Sequence, residues 1–247
     1  MIWIIGGTSE AREIVDRIKD LDNYIVTIAT DGGKEFLNSD KLLVGRMNYE
    51  EMIRFCEENK ITLIVDLTHP FAKIVSENAK QVAKDLEIYY IRYMRNKIAP
   101  IKNAIYLKNY EEAYDYLSTV SGTVFFTTGS KNIGDFEKIR GNNRFIYRIL
   151  PAMESLEECR KYNIQMKDIV AVLGPFSKEY NKGMLEEYNP QYCVMKDSGH
   201  KGGTLEKLQA CEELGIIPII IGREDEDGIK ELYLIEEIIR REYKGEE

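Results

Sequence analysis

Short, unbroken apolar runs that alternate with segments of helical periodicity constrain this chain to an α/β fold. The first run, residues 2–5, ends at Gly6-Gly7 and is followed by apolar residues at helical spacing over 11–21. Residues 61–67 form a similar run, and a helix is predicted after it over 72–86. Strands buried on both faces have continuous apolar sequences, and parallel strands need crossovers between them. The alternation therefore predicts parallel sheets covered by helices.

The same alternation continues to the end of the chain. The predicted strands are 2–5, 24–30, 42–46, 61–67, 89–94, 104–108, 123–130, 144–150, 170–175, 192–199 and 218–222. Helices lie between them, including 110–119, and a last helix is predicted over 230–243. Residues 96–103 contain Pro100 and have no clear period. We therefore predict two Rossmann-like domains, a cofactor-binding domain over 1–98 and a C-terminal domain over 99–247.

Charge and cysteine content exclude several classes of function. The chain has 247 residues with 42 acidic and 34 basic side chains, and its net charge of −8 disfavours general binding of nucleic acid or anionic membranes. Four cysteines without a CxxC pair predict buried free thiols, and two histidines are too few for a His-rich metal site. Met1 is followed by no basic n-region, and no apolar run approaches the ~18 residues of a membrane span. We expect a cytoplasmic protein without a metal.

The loop after the first strand is a candidate phosphate site. Glycines let the backbone approach a phosphate, and the N-terminus of the next helix offers N–H groups and a positive dipole end. The candidate cofactor ligands here are Gly6, Gly7, Thr8, Ser9 and Arg12. The G-x-G-x-x-G spacing is absent, so a tight strand–helix turn is the alternative.

Two more strand ends in this half carry candidate cofactor contacts. The second strand ends at Thr30-Asp31, where dinucleotide-binding folds contact the ribose, and Asp31 favours NAD. Gly45-Arg46 is a candidate phosphate clamp, with an exposed turn as its alternative. The basic residues that favour NADP, if they converge, are Arg12, Lys34 and Arg46.

The stretch DLTHPFA at 66–72 follows the clearest buried strand of the first half. Open α/β sheets bind ligands outside the carboxyl ends of their strands, so Thr68 and His69 are candidate ligand contacts. A histidine with a structural role is the alternative. Arg92 and Arg95 end a later strand and suit a carboxylate-rich ligand through bidentate pairs, with ordinary surface charge as the alternative.

Three loops in the second half also follow strands and contain glycine. Gly129-Ser130-Lys131 ends one strand, and residues 174–181 follow another. The third, residues 196–204, combines glycines and lysines ahead of a helix, which favours an anion site formed by backbone amides. A merely structural loop is the alternative, and its lysines could hold substrate carboxylates instead of a nucleotide.

Taken together and in order, these loops resemble the pattern of precorrin-6A reductases of the corrin (vitamin B12) pathway. The first half contributes GGTSEAR, GR, DLTHPFA, SENA and IR. The second half contributes GPFS-x-E-x-N at 174–181 and KDSG-x-x-GG-T-x-EK at 196–207. The resemblance covers essentially the entire chain.

The resemblance implies reduction of a C=C bond in the corrin precursor macrocycle by a nicotinamide cofactor, usually NADPH, at an active site in the cleft between two Rossmann-like domains. Family members act on metal-free precorrin-6A or on its cobalt complex. The Lys-, Ile- and Glu-rich composition favours the conversion of cobalt-precorrin-6A to cobalt-precorrin-6B in cobalamin biosynthesis. The alternatives are the metal-free reaction, an NAD(P)-dependent reductase of another small substrate, and a nucleotide-sensing module without catalysis. We expect a monomer or homodimer.

Residue roles follow from this chemistry. A proton must be delivered after the hydride, and His69, Lys196 or bound water is the candidate donor. The macrocycle carries many carboxylates, for which the candidate ligands are Arg92, Arg95, Lys131, Ser177 and Lys201. Besides the first loop, the candidate cofactor ligands are Thr30, Gly45, Arg46, Thr68, Ser198, Gly199 and Gly202.

Overall fold

The chain divides into two compact units, each with its own parallel sheet. The computed structural model describes residues 1–29, 41–96, 99, 101–223 and 227–244. One unit is formed by Met1–Arg95 with Asp225–Glu247, and the other by Asn96–Glu224.

The first unit contains a five-stranded parallel sheet in the order β3-β2-β1-β4-β5. Its strands are β1 Ile2–Ile5, β2 Tyr24–Ile28, β3 Leu42–Val44, β4 Leu63–Asp66 and β5 Tyr89–Arg92. The helices of this unit are α1 Ser9–Arg17, α2 Tyr49–Glu58, α3 Lys73–Asp85 and α9 Leu232–Lys244. The strand order reverses between β1 and β4, because β2 lies on one side of them and β5 on the other.

Both faces of this sheet are buried, which explains the continuous apolar sequence of β1. Ile2 and Ile4 pack into a cluster with Ile14 of α1 and Ile235 of α9. The intervening Trp3 points to the opposite face, into the cluster of α2 and α3. Side chains of a strand alternate between faces, so a strand with helices on both faces needs apolar residues throughout.

The C-terminal helix α9 belongs to the first unit. Ile235 and Ile239 are fully buried in the same cluster as Ile14, and Arg240 donates hydrogen bonds to Asp20 at 2.8 and 3.1 Å. The sequence prediction placed this helix in the C-terminal domain, and the structure differs because its apolar face is buried against α1 and the first sheet. A periodic helical sequence shows which face is apolar but not which sheet covers it.

The second unit contains a six-stranded parallel sheet in the order β6-β11-β10-β7-β8-β9. Its strands are β6 Ile105–Leu107, β7 Thr123–Phe126, β8 Arg144–Ile149, β9 Ile169–Ala171, β10 Tyr192–Lys196 and β11 Ile217–Ile221. Its helices are α4 Tyr110–Thr119, α5 Ile133–Ile139, α6 Met153–Lys161, α7 Lys178–Tyr188 and α8 Thr204–Leu214. The strand order reverses between β7 and β10, since β8 follows on one side and β11 on the other.

The predicted α/β class and the eleven predicted strands are confirmed. Several predicted strands extend past the observed ones, as in 123–130 against Thr123–Phe126. The polar residues that follow this strand begin with two β-branched threonines, which are also typical of strands. The four cysteines are free and buried, as predicted. Every helix among the described residues is too short or too polar to span a bilayer.

Candidate functional site

The crevice between β1 and β4 brings two of the predicted ligand loops together in the first unit. Ligands of open α/β sheets bind where the strand order reverses, outside the carboxyl ends of the strands. The loop after β1 begins at Gly6, and the loop after β4 contains Thr68 and His69. The Thr8 hydroxyl donates a hydrogen bond to the carbonyl oxygen of Leu67 at 2.7 Å and so connects the two loops.

The loop after β1 leads directly into the N-terminus of α1. Gly7 has a φ of 104°, a backbone conformation that favours glycine, and a Cβ at this position would meet no atom within 4 Å. Thr8 caps α1 by accepting a hydrogen bond from the Ala11 N–H at 3.2 Å. Because the Thr8 hydroxyl proton is directed to Leu67, backbone N–H groups are the donors that this loop can offer to a phosphate.

Arg95 neutralises a buried carboxylate in the first turn of α1. Glu10 is fully buried, and Arg95 donates to its two carboxylate oxygens at 2.7 Å each. Burial opposes ionisation of Glu10, but the hydrogen bonds and the charge of Arg95 outweigh it and hold the pKa of Glu10 below its ordinary value. The pair therefore removes a negative charge that would otherwise repel an anion at this helix terminus.

Arg92 has a similar role beneath the loop after β4. Its Nη1 contacts the Asp66 carboxylate and the Ser76 hydroxyl, and Asp66 also accepts a hydrogen bond from the Thr68 N–H at 3.0 Å. The Thr68 and Ser76 hydroxyls are 3.1 Å apart. Arg92 and Arg95 were both predicted to bind substrate carboxylates, which stays a prediction. The structure adds a buried ion pair for each of them.

His69 is oriented by its own loop. The Phe71 N–H donates a hydrogen bond to His69 Nδ1 at 3.2 Å. A nitrogen that accepts a hydrogen bond carries no proton, so this contact places the ring proton of the neutral imidazole on Nε2. His69 is thereby suited to donate a hydrogen bond from Nε2, and less suited to the imidazolium form that a proton donor requires.

Other predicted cofactor contacts lie at the same edge of the first sheet. Ser9 is exposed and donates to Glu10 at 3.0 Å. Arg12 on α1 and Gly45-Arg46 after β3 are exposed as well. Thr30, Asp31 and Lys34 lie outside the described residues.

In the second unit, the crevice between β7 and β10 contains Lys196. Burial, followed by repulsion from Lys131, lowers the pKa of Lys196 to about 8. Its Nζ lies 5.9 Å from the ring centroid of Tyr110. Two buried hydroxyls of this unit, Tyr110 Oη and Thr128 Oγ1, have no hydrogen-bond partner in the described part of the chain. Unpaired buried donors of this kind are expected where a ligand or water completes the site.

The loop after β10 is held in a defined conformation. Thr204 Oγ1 donates to the carbonyl oxygen of Lys196 and accepts from the Ser198 N–H, at 3.3 Å each. Gly203 has a φ of 68°, and a Cβ there would lie 3.1 Å from the Pro175 Cβ, so the loop approaches residues 174–177 closely. Ser198 and Gly199 are buried, Gly202 is partly buried, and Lys201 is exposed. Lys131 and Ser177 are exposed in the loops that follow β7 and β9.

Sequence reasoning missed the pair Arg148 and Lys207. Arg148 received no role, and Lys207 was quoted only as the last residue of the motif at 196–207. In the described residues neither forms an ion pair with an acidic side chain, although Lys207 is buried and Arg148 is partly buried. The signal in the sequence was a lysine one turn before Cys211 and next to Leu208, among positions of α8 that are buried. Across the described residues, no group of three or more His, Cys, Asp or Glu side chains is arranged to hold a metal ion.

Two parallel sheets, each with glycine-containing loops at a reversal of strand order, define an α/β protein of nucleotide-binding topology. The family model of precorrin-6x reductase CbiJ/CobK matches residues 1–241. The chain belongs to this family. It is thus an oxidoreductase of cobalamin biosynthesis that acts on a C=C bond, in a family of nicotinamide-dependent reductases.

Similar proteins cover almost the full chain. A cobalt-precorrin-6A reductase of Methanococcus maripaludis is 39% identical over 228 residues, and one of Priestia megaterium is 35% identical over 230 residues. Each alignment covers 90% of both chains. A solved structure described as CobK precorrin-6A reductase superimposes with a TM-score of 0.78 over 97% of this chain and 96% of its own, at 17% identity. This structure supports the fold.

Proposed function

We propose that the protein reduces a C=C bond of cobalt-precorrin-6A, with NADPH as the hydride source. The observation that carries the proposal is the similarity of at least 35% to two proteins named cobalt-precorrin-6A reductase, over nine-tenths of each length. The strand-end loops of both units support an enzyme with two ligands over a module that only senses a nucleotide. Location in the cytoplasm and the oligomeric state stay predictions.

The first unit fits the dinucleotide. The N-terminus of α1, the open space at Gly7 and the reversal of strand order between β1 and β4 are the features that such a cofactor needs. We assign the pyrophosphate to the backbone of Gly6, Gly7 and Ser9, and the 2′-phosphate to Arg12 and Arg46. Thr68 fixes the loop after β4, to which it belongs, through its hydrogen bonds with Asp66 and Ser76. Ser198, Gly199 and Gly202 of the second unit are the further cofactor ligands that we propose.

When bound, the nicotinamide supplies a hydride. The task of the protein is to orient the macrocycle, to neutralise its carboxylates and to deliver a proton to the adjacent carbon. Lys131, Ser177 and Lys201 are the exposed groups that we assign to substrate carboxylates. Arg92 and Arg95 hold the first-unit loops in place through their ion pairs.

We assign proton delivery to Lys196 and a positioning role to His69. A proton donor works best when its pKa is close to the working pH, and burial brings the pKa of Lys196 to about 8. His69 instead accepts a backbone hydrogen bond at Nδ1, which disfavours the charged ring.

The decisive experiment mixes the protein with NADPH and anaerobically prepared cobalt-precorrin-6A and follows the loss of nicotinamide absorbance. We expect oxidation of one NADPH for each macrocycle. Parallel reactions with metal-free precorrin-6A and with NADH compare substrates and cofactors. Absence of oxidation with either macrocycle would overturn the proposed function, and faster turnover of the metal-free form would overturn the choice of the cobalt complex.

A further inference from the structure

Lys207 is a buried lysine without a counter-charge. It lies in the first turns of α8 among the residues that pack on the second sheet, and it is 5% exposed. In the described part of the chain, no acidic side chain forms an ion pair with it. Glu206, its neighbour in the sequence, pairs with neither Lys207 nor Arg148. Burial, followed by repulsion from Arg148, lowers the pKa of Lys207 to about 8.

Arg148 is the positive charge that repels Lys207. It is the penultimate residue of β8, on the sheet face that also carries Ile146 and Cys193. Its Nη1 donates to Asn181 Oδ1 at 2.8 Å. Asn181 is held by α7, since its Nδ2 donates to the carbonyl oxygens of Phe176 and Ser177 at 3.2 and 2.8 Å. A single donor of the Arg148 guanidinium thus has an acceptor among the described residues, and the group is fixed in orientation.

The surroundings of this pair favour an anion. Arg148 retains partial exposure, so its guanidinium is in part accessible to solvent. The N-terminus of α7, capped by Ser177, and that of α8, which has no side-chain cap, both lie at this edge. Helix N-termini stabilise negative charge. Two buried positive charges lose hydration and repel each other when no ligand is bound, and a bound anion offsets this unfavourable free energy.

We propose that Arg148 and Lys207 form a buried subsite that binds one carboxylate of the tetrapyrrole substrate, an inference that rests on the proposed function. The planar guanidinium offers paired N–H donors to a carboxylate, and the ammonium supplies a second charge. A substrate carboxylate is favoured over a cofactor phosphate, because both the pyrophosphate and the 2′-phosphate of the cofactor are already assigned to the loops after β1 and β3 and to α1 of the first unit.

The test measures binding without turnover. Cobalt-precorrin-6A is titrated into the protein in the absence of a nicotinamide cofactor, and its absorbance change gives a dissociation constant. Lys207→Met and Arg148→Met are each expected to weaken this binding by about tenfold to a hundredfold, the usual effect of losing a charged hydrogen bond. Lys207→Arg keeps the charge and is expected to retain most of the affinity. NADPH binding, followed by fluorescence, is expected to stay unchanged.

A thermal melt of the ligand-free protein separates binding from structure. Lys207→Met removes a buried unpaired charge, so its Tm is expected to rise, whereas removal of a structural contact would lower it. The control is Lys167→Met, which deletes an exposed lysine at the opposite edge of the same sheet and should change neither affinity nor Tm.

Three results would overturn the subsite while leaving the proposed function intact. They are unchanged substrate affinity in both Met variants, weakened NADPH binding with normal substrate binding, and a lower Tm for Lys207→Met. A wild-type protein that neither binds nor reduces cobalt-precorrin-6A would overturn the proposed function itself.

Discussion

Arg95 binds Glu10 through two hydrogen bonds of 2.7 Å, and both side chains are buried. The contact joins the end of the first half of the chain to the first turn of α1. It fixes the helix whose N-terminus faces the candidate phosphate site. It also leaves that terminus without a net negative charge from Glu10.

Removing one partner of this pair is expected to be costly. Arg95→Met leaves a buried carboxylate without a counter-charge, which destabilises a fold by about 3–5 kcal/mol. Urea unfolding monitored by fluorescence of Trp3, the single tryptophan, reports on the first unit. The matched control is Arg17→Met in the exposed pair Arg17–Glu13, which should cost less than about 1 kcal/mol. Equal losses for the two variants would contradict a structural role of the buried pair.

The arginines at the candidate phosphate site are expected to discriminate between cofactors. Arg12→Ala and Arg46→Ala remove exposed positive charges next to the loops after β1 and β3. If these side chains contact the 2′-phosphate, the KM for NADPH rises more than tenfold and the KM for NADH changes little. Steady-state kinetics with both cofactors measure this. Equal effects on NADPH and NADH would eliminate the assigned role.

Much of the fold was predictable from local sequence. The apolar run of β1 and the periodicity of α4 gave elements that match the structure, because burial on both faces and amphipathic packing leave strong local patterns. The placement of α9 was not predictable, since its apolar face fits either sheet equally well on periodicity alone.

The site was predictable in outline but not in its charges. Loops at strand ends carry glycine and polar residues that a sequence displays directly. In contrast, the sequence shows Arg92 and Arg95 as cations without showing Asp66 and Glu10 as their buried partners, because these contacts join distant segments. The burial of Lys207 was not predictable for the same reason, as it depends on α7, α8 and β8 together.

Lys196 is expected to impose a pH dependence on the reaction. As the proton donor it must be protonated, so kcat/KM should be constant below a pH of about 8 and decline above it. Lys196→Met should lower kcat and abolish this decline.

His69→Gln should lower the affinity for the ligand more than it lowers kcat, as a positioning residue would.

Substitution of Lys131 tests the role of Lys196 more directly. The positive charge of Lys131 contributes to the low pKa of Lys196, so Lys131→Met should move the decline to higher pH. The midpoint of the pH profile measures this independently of any change in KM. A midpoint that stays in place would show that Lys196 is not the group that titrates.

The buried Lys207 predicts how stability changes with pH. The unfolded lysine titrates near its ordinary value of 10.5 and the folded one near 8, so unfolding takes up a proton between these values and stability rises with pH across this range. The rise amounts to about 3 kcal/mol for a shift of this size. Lys207→Met removes the buried charge and should be more stable than the wild type at pH 7, with a smaller rise toward pH 10. Urea unfolding at several pH values, monitored by far-ultraviolet circular dichroism, tests this with Lys167→Met as the control. An identical pH slope in wild type and Lys207→Met would show that Lys207 does not carry the effect.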